Sequence, residues 1–381
     1  MTIIKQIGID LHTNCFTIAY RDKTGNFIFE EFNLFKNDEI EGFKKLLSKE
    51  TTIAVEATIN SSYFYEAFSP FVKKVMIVNT SKHDHKKTKR KTDKEDAKRI
   101  LIFLEANMLS EIWVAPKKVV HLRKLLSIQK QIESIQTGCK NMLGNILIET
   151  ATKRKRSEIT HRDNIALFYN EKFNENQQLI SRNLIEITKY MELKNAVMKH
   201  AIVKYLGENE HVKLLMSIPG ISYYSAVCIL AEIGDIHRFD SAKKLCSYAG
   251  LVPILEESNG KRKNRGITKS GRRKLRYFAT FAVLNAIKSS KTLRDFYNKI
   301  ALKGSKKKAM VATGRKLLTI IYHILITEKP FREMKDSLYN MKISQWKKSL
   351  MINSSDMNKL MKNFIDKEIL ENIFTTDRLK C

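Results

Sequence analysis

The fold of this chain is constrained most by a change of hydrophobic period part-way along it. Up to residue 78 the apolar residues come in short runs parted by turn residues, and from about residue 119 they recur at 3,4 spacing. A period near two belongs to strands and a period of 3.6 to helices. One chain doing both in succession predicts a sheet-containing body followed by a helical one. The length of 381 residues agrees, being too long for one ordinary core.

In the first part, residues 3–9, 15–20 and 27–32 read as strands, with a turn at Asp22-Lys23-Thr24-Gly25-Asn26. Asn37 reads as the cap of a helix running to about residue 47, followed by a strand at 52–55, a helix near 62–68 and a fifth strand at 75–78. Three antiparallel strands followed by alternating helices and strands predict an α/β domain of ribonuclease-H-like topology. Asp10 closes the apolar run Ile7-Gly8-Ile9 and Glu56 closes Ile53-Ala54-Val55, while Asp93 and Asp96 stand three apart. On a helix that spacing puts both carboxylates on one face. Magnesium prefers hard oxygen ligands and keeps several waters, so a few convergent carboxylates suffice to hold it on a phosphodiester. The plainer reading of each acid is a solvated group or a cap. Asp93, after Thr92, would cap a helix over 94–106.

In the second part Leu125, Ile128, Ile132, Ile135, Cys139, Met142 and Ile146 form one seam. A second runs through Ile180, Leu184, Ile187, Met191, Lys194, Met198, Ala201 and Tyr205. Two such helices predict an antiparallel hairpin of coiled-coil type, a bundle core or a dimer interface. Ser217-Ile218-Pro219-Gly220-Ile221 and the apolar stretch 226–234 read as a helix-hairpin-helix-like segment, whose turn can offer N–H groups to a phosphate. A Gly/Pro-containing loop over 250–271, an apolar helix over 275–287 and a polar helical tail without chemistry beyond 331 complete the pattern.

A formal charge of +29 and a pI near 9.8 imply a polyanionic partner, nucleic acid first and an acidic membrane surface as the alternative. The 13 Tyr and 19 Phe argue against a disordered polybasic tail. No run approaches the ~20 apolar residues of a membrane span, and the N-terminus lacks a signal-peptide core. The five cysteines have no Cys-x-x-Cys spacing, so they read as reduced thiols rather than zinc ligands. Two basic segments stand out as nucleic-acid contacts. One carries Lys86, Lys87, Lys89 and Arg90 and leads into Asp93, with His83 and His85 read as phosphate or solvent contacts. The other carries Lys261, Arg262, Lys263, Arg265, Lys269, Arg272, Arg273 and Arg276. Ser258 and Ser270 lie in or beside it. On residue chemistry alone neither stands out from turn serines.

Together these residues resemble the DEDD transposases of insertion-sequence family 110, the recombinases guided by a bridge RNA. The matching stretches are Ile7-Gly8-Ile9-Asp10, Val55-Glu56-Ala57-Thr58, Lys91-Thr92-Asp93-Lys94-Glu95-Asp96-Ala97, Ile218-Pro219-Gly220-Ile221, Gly250-Leu251-Val252-Pro253, Glu257-Ser258-Asn259-Gly260 and Thr268-Lys269-Ser270-Gly271 with Leu275-Arg276. The resemblance implies a RuvC-like catalytic domain over 1–112, a coiled-coil domain over 113–210, a C-terminal transposase domain over 211–331 and a helical tail over 332–381. It puts the acidic quartet, and so Mg²⁺ with Mn²⁺ as an alternative, on Asp10, Glu56, Asp93 and Asp96. It puts the catalytic serine, which forms a covalent 5′-phosphoserine link, on Ser258. It further implies donor and target DNA paired to a bridge RNA, a homodimer assembling to a tetramer with sites shared between subunits, no membrane partner, and a nucleoid-associated protein of a prokaryotic cytoplasm. Ile59 stands where the family has glycine, and Asn259 separates Ser258 from Gly260. Other readings of the same residues are a junction-type endonuclease using metal-activated water, an actin-like phosphotransferase and a non-catalytic nucleic-acid-binding coiled coil. The phosphotransferase lacks the glycine its motif needs after Asp10.

Overall fold

The computed structural model describes residues 4–79, 92–152, 172–206, 209–258 and 261–351, with the backbone alone described at 255–258, 261–265 and 349–351. It divides into two units, Met1–Pro116 and Lys117–Cys381.

The first unit is a five-stranded sheet in the order β3-β2-β1-β4-β5. Its strands are β1 (Gln6–Leu11), β2 (Cys15–Arg21), β3 (Phe27–Asn33), β4 (Thr52–Glu56) and β5 (Lys74–Val78). The first three pair antiparallel, and β1–β4 and β4–β5 pair parallel, the mixed sheet the sequence predicts. Its helices are α1 (Asn37–Leu46), α2 (Ser61–Phe68) and α3 (Asp93–Glu105). Side chains alternate across a strand, and here the alternation sorts the residues into two different layers. Ile7, Ile9, Phe16, Ile18, Ile53 and Val55 join a core with Phe43, Phe64 and Phe68 from α1 and α2. Phe16 packs edge-on to Phe43 at 4.9 Å and to Phe64 at 5.3 Å between ring centroids. The intervening residues Gly8, Ala19 and Ala54 are small, and α3 lies on them through Ala97, Ile100, Leu101 and Leu104. A methyl group on Gly8 would stand 2.4 Å from the Ala97 carbonyl oxygen and 2.4 Å from the Leu101 nitrogen.

Three local expectations shift. Strand β1 begins at Gln6 and runs through Asp10 to Leu11, because Asp10 pairs with Thr17 and Leu11 with Phe16. Asn37 is the first residue of α1 rather than its cap; Lys36 takes that position without a side-chain bond, and Glu39 Oε2 accepts from the Asn33 N–H at 2.6 Å. Thr92, not Asp93, caps α3, its hydroxyl oxygen accepting from the Glu95 N–H.

The second unit opens with α4 (Lys117–Glu149) and α5 (Glu175–Leu206), packed antiparallel. The predicted seams coincide only in part with the stripe along which they meet, where Cys139, Ile146 and Leu184 share a buried cluster with Leu143, Leu147 and Ile185. On α4 only Cys139 and Ile146 of the seven are buried, and Ile128, Ile135 and Met142 are about half exposed. The rotation of α4 is set instead by Leu122 and Leu126, which enter the main core of the unit, and by buried Gln129. Gln129 donates to Asn195 Oδ1 at 2.9 Å and accepts from the Tyr224 hydroxyl. A buried polar side chain costs free energy unless bonded, so this network fixes the register that apolar contacts alone leave open.

Beyond the hairpin come α6 (Glu210–Met216), α7 (Tyr223–Ile233), α8 (Ala242–Tyr248), the antiparallel pair β6 (Pro253–Ser258) and β7 (Lys261–Ile267), then α9 (Arg273–Ser289), α10 (Lys291–Leu302), α11 (Lys306–Thr327) and α12 (Asp336–Met351). The expected loop over 250–271 is therefore largely a β-hairpin. Its register sets Glu256 opposite Lys263 and Glu257 opposite Arg262. Opposite charges facing across strands favour pairing, while giving none of the apolar alternation that flags a strand. Helix α11 is long and apolar enough to cross a membrane by composition, contrary to the expectation from the sequence, and it buries Leu317, Leu318, Ile321 and Leu325 in the core.

The described part of the tail, expected to be polar, joins that core through α12. Trp346 of α12 is 1% exposed, and half-buried Lys342 donates from Nζ to the carbonyls of Met216 (2.9 Å), Ile218 (3.1 Å) and Ile221 (2.8 Å). Burial alone pulls its ammonium down to about 8. Those carbonyls belong to the α6–α7 turn, where Gly220 at φ +85° lies against the backbone of α9. Lys342→Met leaves the three acceptors without their donor, at about 1–3 kcal/mol. The free energy of urea unfolding of the second unit is expected to fall by that amount, with the midpoint moving to lower concentration.

Candidate active site

Register explains why Asp10 and Glu56 meet. Gly8 pairs with Ala54 and Ile9 with Val55 in the parallel ladder, so Asp10 and Glu56 occupy the next step, side by side at the C-terminal ends of β1 and β4. Both fall on the even, α3-facing side, in phase with Gly8 and Ala54. The glycine that lets α3 approach also brings the first turn of that helix over the strand ends. Asp93, Glu95 and Asp96 lie in that turn, where the helix dipole favours negative charge.

The tightest grouping is Asp10, Asp93 and a residue the sequence reading passed over, His12. Its Nε2 is 3.4 Å from Asp10 Oδ2 and 3.2 Å from Asp93 Oδ2, and one donor atom from each of the three falls within 4.8 Å of the others. Glu56 and Asp96 lie outside that group, and Asp96 pairs with Arg99 at 2.9 Å. All four acids are nonetheless coupled. Burial pushes the Asp10 carboxyl up to about 6; His12 opposes the rise, while Asp96, Asp93 and Glu56 add to it. A buried carboxyl whose proton affinity is raised by neighbouring carboxylates has the donor chemistry that a hard divalent cation neutralises. The residues present therefore fit a metal centre. Spacing i, i+2 after the strand-ending acid was the available signal for His12, and the turn geometry gives it meaning. The His12 N–H donates to the Cys15 carbonyl, and Asn60 Nδ2 donates to the carbonyls of His12 and Thr13. Ile59, in the family's glycine position, is 91% exposed and is not among the residues with positive φ, so the chain beside Glu56 accommodates it.

In the second unit Ser258 is the last residue of β6, opposite Lys261. The base of this hairpin is anchored: the Arg272 and Thr268 N–H groups donate to the Tyr248 and Val252 carbonyls, and a Cβ on Gly271 would meet the Tyr248 carbonyl at 2.4 Å. Among the basic residues, Arg272 Nε donates to the Tyr248 hydroxyl and Arg276 Nη1 to the Ala249 carbonyl, while Lys269 and Arg273 are exposed. Lys261, Arg262, Lys263 and Arg265 lie on β7, with their side chains outside the described set. Lys86, Lys87, Lys89 and Arg90 fall outside the described residues, as do His83 and His85. The four described cysteines are free.

Two family models match successive parts of the sequence. The DEDD transposase model of IS110 elements matches residues 7–151, and the model described as Transposase IS116/IS110/IS902 family matches 212–298. The first match spans all four acids and the second spans Ser258. The transposase for insertion sequence element IS1111A of Coxiella burnetii is 24% identical over 346 residues, 87% of this chain and 92% of the relative. The pilin gene-inverting protein of Moraxella bovis is 38% identical over 127 residues, which cover 32% of this chain and 39% of that protein. The two family matches together span more than half of the sequence, and the chain belongs to the IS116/IS110/IS902 family of transposases.

Proposed function

We propose that this transposase cuts and rejoins DNA through a serine nucleophile and a divalent-metal centre, with a guide RNA choosing the sites. The observation that carries the metal half is the convergence of Asp10 and Asp93 beside Glu56 at the strand ends of a RuvC-like sheet. Asp10, Glu56, Asp93 and Asp96 would hold the ions. When bound, these supply positive charge to the scissile phosphate and to the departing oxygen. Mg²⁺ is the expected ion, with Mn²⁺ as the alternative.

Ser258 supplies the other half. Its Oγ attacks phosphorus, the bond to the 3′ oxygen breaks, and that oxygen leaves as a hydroxyl while the 5′-phosphate stays esterified to the serine. Attack by a different 3′-hydroxyl releases the serine and joins the new strand. The position of Ser258 in a strongly basic hairpin, inside a matched segment, supports the assignment. The charge of +29 suits a protein that handles DNA and RNA together. The α6–α7 turn offers a phosphate contact. The apolar stripe on the outer face of α4, with Ile128, Ile135 and Met142, supports association of two copies into the dimer from which a tetramer would assemble.

The test combines the protein, RNA transcribed from the element's flanking DNA, donor and target duplexes and Mg²⁺. A protein–DNA adduct is expected, and Ser258→Ala should lower both adduct and cleavage by at least about a thousandfold. Cleavage that survives in Ser258→Ala without an adduct would instead establish a water nucleophile. An adduct that persists in it would remove the serine assignment, and target choice unchanged without RNA would remove guidance.

A further inference from the structure

His12 is not one of the four acids, yet its ring nitrogen stands 3.4 Å from Asp10 and 3.2 Å from Asp93, and the three residues offer donor atoms within 4.8 Å of one another. We propose that His12 is a direct ligand of the metal centre, which is thereby a mixed nitrogen–oxygen site favouring Mn²⁺ over Mg²⁺. This rests on the reading of the quartet as a metal site and sharpens it to a kind of ion.

The geometry is that of neighbouring ligands. Around an octahedral ion with bonds of about 2.1 Å, adjacent donor atoms stand about 3 Å apart. The Nε2 atom of His12 is 3.2 and 3.4 Å from the two carboxylate oxygens. The turn that carries the ring is held by bonds to its backbone. β1 ends at Leu11, the His12 N–H is tied to the Cys15 carbonyl at 2.9 Å, and Asn60 bonds the carbonyls of His12 and Thr13 at 3.2 and 2.7 Å. Asn60 follows Glu56 by four residues, so one short segment carries an acid of the quartet and the clamp on the His12 turn. Chemically, Mg²⁺ prefers an all-oxygen shell and gives up its waters reluctantly, whereas imidazole suits the first-row transition ions. Only the nitrogen distinguishes this centre from one built of carboxylates alone.

The full-length protein with one equivalent of Mn²⁺ is examined by pulsed electron paramagnetic resonance. A ¹⁴N coupling to the bound ion is expected, absent in His12→Asn and His12→Ala. Titration should show Mn²⁺ affinity falling at least about tenfold in both variants, with Mg²⁺ affinity changing less. Mn²⁺ bound without nitrogen coupling, or an Mn²⁺/Mg²⁺ ratio unchanged in His12→Asn, overturns the proposal and leaves the quartet standing. Failure of the parent protein to bind either ion, or equal binding by Asp10→Asn, removes the quartet reading itself. Asn60→Ala provides a further check: if the clamp matters, the coupling weakens although no donor atom has been removed.

Discussion

Asp10→Asn is expected to abolish metal-dependent cleavage while making the N-terminal unit more stable at neutral pH. The two effects have one origin. Asp10 is 6% exposed, and burial followed by the neighbouring acids lifts its carboxyl to about 6 from an ordinary value of 3.8, against the pull of His12. The native state thus holds this proton more tightly than the unfolded chain does. Stability must fall as pH rises from about 4 to about 6 and level off above, where the ionised group carries its full cost. At 1.36 kcal/mol per pH unit, that cost is roughly 2–3 kcal/mol in EDTA. Asparagine keeps the shape and removes the charge, so the pH slope should vanish and the gain should appear above pH 6. Cleavage should fall by about a thousandfold or more, since a ligand worth several kcal/mol at the transition state is lost. Urea unfolding at pH 4.5, 6 and 7.5 and a strand-cleavage gel measure the two. The chain's two tryptophans, Trp113 and Trp346, fall in different units, so fluorescence can report on each separately. Loss of stability in Asp10→Asn at pH 7.5 would mean that the carboxylate is a structural acceptor.

Gly8→Ala should be the most damaging single methyl group in the N-terminal unit. The added carbon would sit 2.4 Å from two backbone atoms of α3 and 2.8 Å from the Leu101 Cα. None of these can rotate away, so the helix must move as a body. Overpacking of this kind costs up to about 3 kcal/mol and sometimes more. Because α3 carries Asp93 and Asp96, its displacement should also lower metal affinity although no ligand is touched. Gly42→Ala supplies the contrast. It lies within α1, the nearest atom to an added Cβ is 4.0 Å away, and alanine there should add about 0.5–1 kcal/mol. Equal unfolding midpoints for the two variants would show that α3 is not held on Gly8.

Much of the N-terminal unit was legible because its chemistry follows strand period. Ile7, Ile9, Ile53 and Val55 announce one face, and the acids ending those runs announce the site. What could not be read is what depends on rotation or on distant partners. The 3,4 seam on α4 is real as a pattern, but periodicity gives a stripe without saying what faces it, and Gln129 with Asn195 and Tyr224 turned the helix partly away from it. The β6–β7 hairpin escaped because charged residues stand in its sequence where an apolar alternation would flag strands. His12 escaped because its meaning comes from Asp93, which is 81 positions away in sequence and adjacent only once Gly8 admits α3.

Lys342 has a practical consequence for anyone seeking a smaller version of this enzyme. The family match ends at residue 298, and trimming there, or after residue 331, looks harmless on sequence grounds. It would delete the one ammonium bonded to three carbonyls of the α6–α7 turn, together with the indole of Trp346. A shortened enzyme would keep every residue assigned to chemistry and still lose the peg beneath its proposed phosphate contact. The minimal unit is thus set by what the turn leans on, and it extends at least to α12.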